Sequence, residues 1–254
     1  MVYFNIISIF PEIFSAIKNQ GIISKAIKKG IIHLNIFNPR DYTHDKYRTI
    51  DDRPYGGGSG MLMKFEPLLN AIKQAKKIKN KVTKIIYLSP KGKPLNQKNI
   101  IKLAKINNFI IVCGRYKGID DRLISHQIDE EWSIGDYVVT GGELPAMIFI
   151  DALSRLIPGV IGNQESIEED SFYNGLLDAP QFTRPKNVLG MSVPKILLSG
   201  HHEKIKQWKI KKSLGITWLK RPDLLNKLTL TKKQTMLLTE FKQEWFKTIK
   251  NKFI

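Results

Sequence analysis

Three short apolar runs, Lys84-Ile-Ile-Tyr-Leu88, Phe109-Ile-Ile-Val-Cys113 and the stretch around Tyr137 to Val139, each finish in a loop that contains glycine or proline. A helix-length segment around Gln97 to Ala104 separates the first two. Strands that alternate with helices imply βαβ units and a parallel sheet, which makes this an α/β chain. Tyr3 to Phe10 reads as a further buried strand stopped by Pro11, with Glu12 opening an amphipathic helix toward Gly21, and Ile32 to Phe37 as a shorter strand. In an open parallel sheet the ligand crevice lies outside the carboxyl ends of the strands, so the three loops should converge on one pocket.

The third loop is the most informative. Ser133-Ile-Gly-Asp-Tyr-Val-Val-Thr-Gly-Gly-Glu-Leu-Pro145 sets the β-branched pair Val138 and Val139 between glycines and then opens a helix. Gly135, Gly141 and Gly142 allow tight turns and let backbone approach a ligand without a Cβ in the way. Pro145 suits the first turn of the helix that follows. Neither a G-x-G-x-x-G after a strand nor a G-x-x-x-x-G-K-[ST] occurs, so a dinucleotide or a nucleoside triphosphate is disfavoured. Asp51-Asp-Arg-Pro-Tyr-Gly-Gly-Gly-Ser-Gly-Met61 is a further glycine-rich loop, without strand or P-loop context, and reads as a mobile lid.

Charge points to a polyanionic partner. The 254 residues carry 41 Lys/Arg against 23 Asp/Glu, a net +18. Residues 176–254 hold 17 of the basic and 5 of the acidic residues, so +12 of that charge sits in the last third. Only 8 of the basic residues are Arg, and a Lys-, Ile- and Asn-rich chain is also what AT-biased coding produces. The polar stretch Asn163 to Ser171 lacks periodicity and reads as a linker. Beyond it, His201 to Lys212, Pro222 to Lys227 and Lys232 to Lys250 read as helices of a small basic domain. In the first of these, Lys204, Trp208 and Lys211 share a face that could grip RNA phosphates beside an aromatic surface, or Trp208 is core and the lysines are solvated. The expected organisation is a domain at 1–161, a linker at 162–175 and a helical domain at 176–254.

No run of eighteen or so apolar residues occurs, and Met1 to Phe10 is not a signal-like segment, so a soluble cytoplasmic protein is expected, with no membrane partner. The lone Cys113 cannot form an internal disulfide or a thiolate metal site and reads as a buried strand residue.

Several ordered motifs together carry a resemblance. Tyr87-Leu-Ser-Pro90, Gly114-Arg-Tyr116, Ile119-Asp-Asp-Arg122, Asp129 to Tyr137, Gly141-Gly-Glu-Leu-Pro-Ala146 and Gly175-Leu-Leu-Asp178 resemble the bacterial tRNA (guanine-N1)-methyltransferases of the knotted SPOUT superfamily. Pro39-Arg-Asp, Asp51 to Gly58 and Leu198-Ser-Gly-His extend the likeness over nearly the whole chain. The resemblance implies a deep trefoil knot in the parallel-sheet domain, an exception to the usual rule against threading, and a homodimer with active sites at the subunit interface. It implies S-adenosylmethionine as cofactor and tRNA, not DNA, as partner, methylated on N1 of guanine-37, the base 3′ of the anticodon.

By the same likeness Tyr87, Leu88, Ser89, Pro90, Gly114, Tyr116, Ile134, Gly135, Asp136, Tyr137, Val138, Val139, Gly141, Gly142 and Pro145 form the cofactor site. Methyl transfer from a sulfonium is a direct displacement, which needs orientation and removal of the guanine N1 proton. The resemblance gives Asp170 the role of general base and Arg155 that of stabilising charge on guanine O6. From residues alone, Asp170 could equally be a solvated linker acid and Arg155 a surface charge. The 163–171 segment is expected to order when tRNA binds, with Ser166 and Glu169 at S-x-x-E spacing capping a helix turn. Lys117 stands where the family usually carries Glu, which leaves a Mg2+ requirement open; its expected direction is toward solvent or the cofactor carboxylate. Two other readings stay in play: a knotted ribose 2′-O-methyltransferase, and an RNA-binding module that has lost activity.

Overall fold

The computed structural model describes residues 1–78, 83–163 and 165–250. Gln164, inside the expected linker, and residues 251–254, at the end of the expected helical domain, lie outside the described residues. The chain divides into two compact units, Met1–Gly162 and Asn163–Ile254.

The first unit is built on strands β1 (Val2–Ile7), β2 (Ile32–Phe37), β5 (Lys84–Pro94), β6 (Asn108–Val112) and β7 (Glu130–Ser133). They form one parallel sheet in the order β2-β1-β6-β5-β7. Two-residue strands β3 (Asp51–Asp52) and β4 (Leu62–Met63) pair antiparallel beside it. Helices α1 (Ser15–Asn19), α2 (Gly21–Lys28), α3 (Phe65–Lys76), α4 (Gln97–Leu103) and α5 (Asp121–Gln127) lie on the connections between these strands, and α6 (Glu143–Ser154) follows the last of them.

β6 shows why the strands read as continuous apolar runs. Phe109, Ile111 and Cys113 face one core with Phe4, Ile6, Phe149 and Leu153, whereas Ile110 and Val112 face another with Leu68, Ile72 and Leu123. A parallel sheet covered by helices on both faces has no solvated side to host polar residues. Each such fully buried side chain contributes roughly 1.5–3 kcal/mol. One polar seam interrupts this: Asn35 donates to Asn5 (2.9 Å), Asn5 to Asn108 (3.0 Å) and Asn108 to Thr83 (2.7 Å), across β2, β1 and β6.

Several expectations need correction. The helix expected from Glu12 toward Gly21 starts as a 3-10 turn at Pro11–Phe14, continues as α1 and stops where Gln20 is extended and Gly21 sits at φ +74°; α2, which follows, was not expected. The strand expected around Tyr137 to Val139 does not form. Glu130–Ser133 takes the sheet position instead, and Val138, with no strand to pair with, is 87% exposed. The glycine-rich loop does have strand context, since β3 and β4 frame it.

In the second unit α7 (Glu165–Glu168), the hairpin strands β8 (Asn187–Val188) and β9 (Met191–Ser192), and helices α8 (His202–Lys220), α9 (Pro222–Leu225) and α10 (Lys232–Lys250) follow in order. Leu214 of α8 packs with Leu237 and Leu238 of α10. Gly215 lets the two helices close, since a Cβ there would lie 2.3 Å from the Phe241 ring. Lys211 is turned to Glu240 (3.1 Å) and Glu244 (2.7 Å), so it braces α8 against α10 rather than offering a phosphate contact. Trp208 lies 6.5 Å from the Phe182 ring, under the Lys212 ammonium. Among the described residues no helix is long and apolar enough to cross a membrane.

Candidate active site

Three loops, one bulging from β5 after Leu88 and two following β6 and β7, meet in the first unit around a cavity of about 270 Å³. Each loop is shaped by a different local cause. After Leu88 the chain bulges out of the sheet, and Lys93 and Pro94 return to pair with Trp132 and Ser133. The return passes so close to β7 that a Cβ on Gly92 would sit 2.4 Å from the Trp132 nitrogen, which no side chain permits. After β6, Tyr116 (φ +60°) and Gly118 (φ +122°) turn the chain through the left-handed region, closed by the Gly118 N–H donating to the Arg115 carbonyl (3.0 Å). After β7, Gly135 (φ +148°) makes the turn, and its N–H donates to the Ser133 hydroxyl (3.2 Å).

The paired glycines, which line the cavity, also serve contact between loops. A Cβ on Gly142 would lie 2.7 Å from the Cys113 Cα, and one on Gly141 would lie 2.2 Å from Arg115 Nε. They let the third loop press against the second. The Gly142 N–H donates to the Gly114 carbonyl (2.8 Å), and Gly141 bridges Arg115. Gly114 in turn leaves room for the Tyr87 hydroxyl.

Tyr87, Leu88, Ser89, Pro90, Gly114, Tyr116, Ile134, Gly135, Tyr137, Val138, Val139, Gly141, Gly142 and Pro145 all line the cavity. Asp136 does not; it is exposed in the same loop. Arg115, Lys117, Gly118, Trp132, Ser133 and Thr140 line it as well and were missed. Their signal was contiguity, since Arg115, Lys117, Ser133 and Thr140 adjoin assigned residues and Gly118 and Trp132 lie two positions away from one. Pro145 is the third residue of α6, within its first turn.

Burial, and secondarily the Glu131 carboxylate, pushes the Tyr87 phenol up to about 12, so it stays protonated. Burial, then Glu143, holds the Cys113 thiol well above its usual range, so Cys113 is not a nucleophile at neutral pH. Glu143 is fully buried and accepts hydrogen bonds from the Ser8 hydroxyl (2.8 Å) and Arg115 Nε (2.8 Å). Lys117 is exposed; its stem lies against Gly60 and its N–H donates to the Met61 carbonyl (3.0 Å), joining the glycine-rich loop to the cavity rim.

Neither residue assigned to catalysis is in the lining of this cavity. Arg155 is half-buried at the C-cap of α6, in the first unit. Asp170 is exposed in the second unit just after α7, its N–H donating to the Ile167 carbonyl (3.3 Å). The capping box expected from Ser166 and Glu169 is not formed. Ser166 lies inside α7 and donates to the Asn163 carbonyl (2.7 Å), while Glu169 pairs with Lys209 (2.7 Å).

A family model described as tRNA (Guanine-1)-methyltransferase TrmD matches residues 2–227. The chain belongs to the tRNA (guanine-1)-methyltransferase family. Relatives within that family include the tRNA (guanine-N(1)-)-methyltransferase of Pseudoalteromonas atlantica, 57% identical over 242 residues that cover 95% of this chain and 91% of the relative. Proteins of the same name from Buchnera aphidicola subsp. Schizaphis graminum (58%, covering 96% and 92%) and Edwardsiella ictaluri (54%, covering 96% of each) are similar over the same extent. Membership of the tRNA (guanine-1)-methyltransferase family therefore extends through the three-loop cavity and most of the second unit.

Proposed function

We propose that the chain transfers a methyl group from S-adenosylmethionine to N1 of the guanine immediately 3′ of the anticodon in tRNA. The observation that carries this reading is the convergence of three loops on one cavity, in a chain of this family. The lining suits the cofactor: Leu88, Pro90, Ile134, Val139 and Pro145 offer apolar wall for a flat purine, and the glycine turns offer polar backbone. When bound, the cofactor supplies an electrophilic methyl group on its sulfonium.

In this reading Asp170 accepts the guanine N1 proton and Arg155 stabilises the negative charge that spreads to O6. Tyr87 stays a neutral phenol and Cys113 a neutral thiol, so neither competes for the proton or the methyl group. The chain is organised as a cofactor domain at 1–161, a linker at 162–175 that orders with tRNA, and a basic tRNA-binding domain at 176–254. The trefoil-knotted path rests on the family alone. Exposed apolar side chains at Val138, Leu144 and Ile148 support a homodimer through this side of α6. The protein works in the cytoplasm, where its substrate is.

The test is incubation with methyl-labelled S-adenosylmethionine and tRNA transcripts that differ only in the base after the anticodon. Label should enter the guanine transcript alone, as 1-methylguanosine. Methylated ribose would give the activity to a 2′-O-methyltransferase, and no label with retained tRNA binding would leave an RNA-binding module.

A further inference from the structure

Arg115 brings a positive charge to the cavity wall, and the fold spends a buried carboxylate on it. The guanidinium is held on several sides: its Nε donates to Glu143 Oε2, its Nη1 to the Thr140 carbonyl (3.3 Å), and its carbon lies 4.7 Å from the centre of the Phe10 ring. These contacts tie the loop after β6 to the chain entering α6 and to the segment after β1. Glu143 has 0% exposed surface and opens the twelve-residue α6, whose start favours an anion. Its other oxygen is taken by Ser8, which is also fully buried.

Buried ion pairs are poor sources of stability, since two well-packed neutral groups usually do as well or better. The charge on Glu143 therefore calls for a reason in the cavity. Resting on S-adenosylmethionine as the donor, that reason is chemical: a sulfonium ligand carries one more positive charge than the thioether left after methyl transfer. An uncompensated Arg115 would repel the first more than the second.

We propose that Glu143 is a positioning residue that holds and neutralises Arg115, and that it thereby sets the preference of the cavity between sulfonium substrate and thioether product. Lys117 stays at the rim beside Gly60, whereas Arg115 forms wall.

The experiment measures dissociation constants of S-adenosylmethionine and S-adenosylhomocysteine by calorimetry for the full chain, E143Q and the double variant E143Q/R115M. Gln keeps the shape of Glu143 and one oxygen to accept from Arg115, with its amide able to donate to the Ser8 hydroxyl, while removing the charge. In E143Q the sulfonium should lose about tenfold more affinity than the thioether, a difference that a purely structural defect would not produce. The double variant, with both charges gone, should return to the wild-type ratio of affinities, and it decides the matter if E143Q does not fold. Equal losses for both ligands in E143Q, or a skewed ratio in the double variant, would overturn the proposal. Failure of the unaltered chain to bind either ligand would overturn the donor assignment instead.

Discussion

Alanine at Gly142 tests whether the cavity depends on the loops lying in contact. Its backbone, at φ −78° and ψ −7°, is open to any residue, so the effect is purely steric. The new methyl carbon would lie 2.7 Å from the Cys113 Cα, 2.9 Å from the Gly114 nitrogen and 3.1 Å from the Cys113 carbonyl carbon. All three are backbone atoms, so no side chain can swing aside. Reaching ordinary contact near 3.4 Å requires the two loops to part by roughly 0.7 Å, and overpacking of this kind costs about 1–3 kcal/mol. It also stretches the 2.8 Å bond from the Gly142 N–H to the Gly114 carbonyl. For a chain of this size each kcal/mol lowers Tm by about 2–4 °C. Misplacing a site by about 1 Å can cost about 100-fold in rate, so a displacement of this size should weaken methyl transfer on the order of 10-fold or more. Calorimetry of unfolding measures the first effect and a methylation assay the second, while calorimetry of cofactor binding reports on the cavity itself. Gly162→Ala is the control, because a Cβ there meets nothing within 4 Å. A Gly142→Ala protein that melts and binds like the unaltered chain would refute the view that loop contact shapes the cavity.

Two other outcomes follow from groups already described. Asp170→Ala should slow single-turnover methylation by roughly 100-fold or more with cofactor affinity unchanged, as expected for a lost general base; near-normal turnover would remove Asp170 from that role. Tyr87, raised in the folded chain to about 12, should be the late tyrosine in a spectroscopic titration. Because its folded value exceeds the usual phenol value of about 10, its contribution to stability is complete below that pH and is lost as pH climbs toward 12. Phenolate absorbance rising in a single step near 10 would contradict that.

The strands β1, β6 and the first half of β5 were legible because burial on both faces makes a run of apolar residues. In the second unit α10 coincides with the segment that reads as a helix, whereas α8 runs on to Lys220, past its expected end at Lys212. The Tyr137 to Val139 expectation failed because β-propensity does not supply a partner strand, and the edge of the sheet was taken by Glu130–Ser133. That strand hides in sequence behind its acids: Glu130 pairs with Lys84 on the neighbouring strand (2.9 Å) and accepts from the Trp132 indole (3.1 Å). The pocket lining was readable because its residues are contiguous in three loops. The Ser8, Arg115 and Glu143 cluster was not, since its members lie far apart in the chain and meet only when β1, β6 and α6 are assembled.

The asparagine seam across β2, β1 and β6 acts as an alignment check on the sheet. Apart from Tyr3 and His33 the rest of these three strands is apolar, and a pairing displaced along the strand would still bury Ile and Phe. It would also set buried amides against hydrocarbon, at about 1–3 kcal/mol for each unsatisfied group. Since β1 and β6 are separated by about a hundred residues, the chain must find this pairing among many similar ones, and the loops that form the cavity inherit their positions from it. A methyl-donor site assembled from three loops is only as well placed as the strands are aligned, so the fidelity of the cavity is guarded within the sheet, by side chains that never line it.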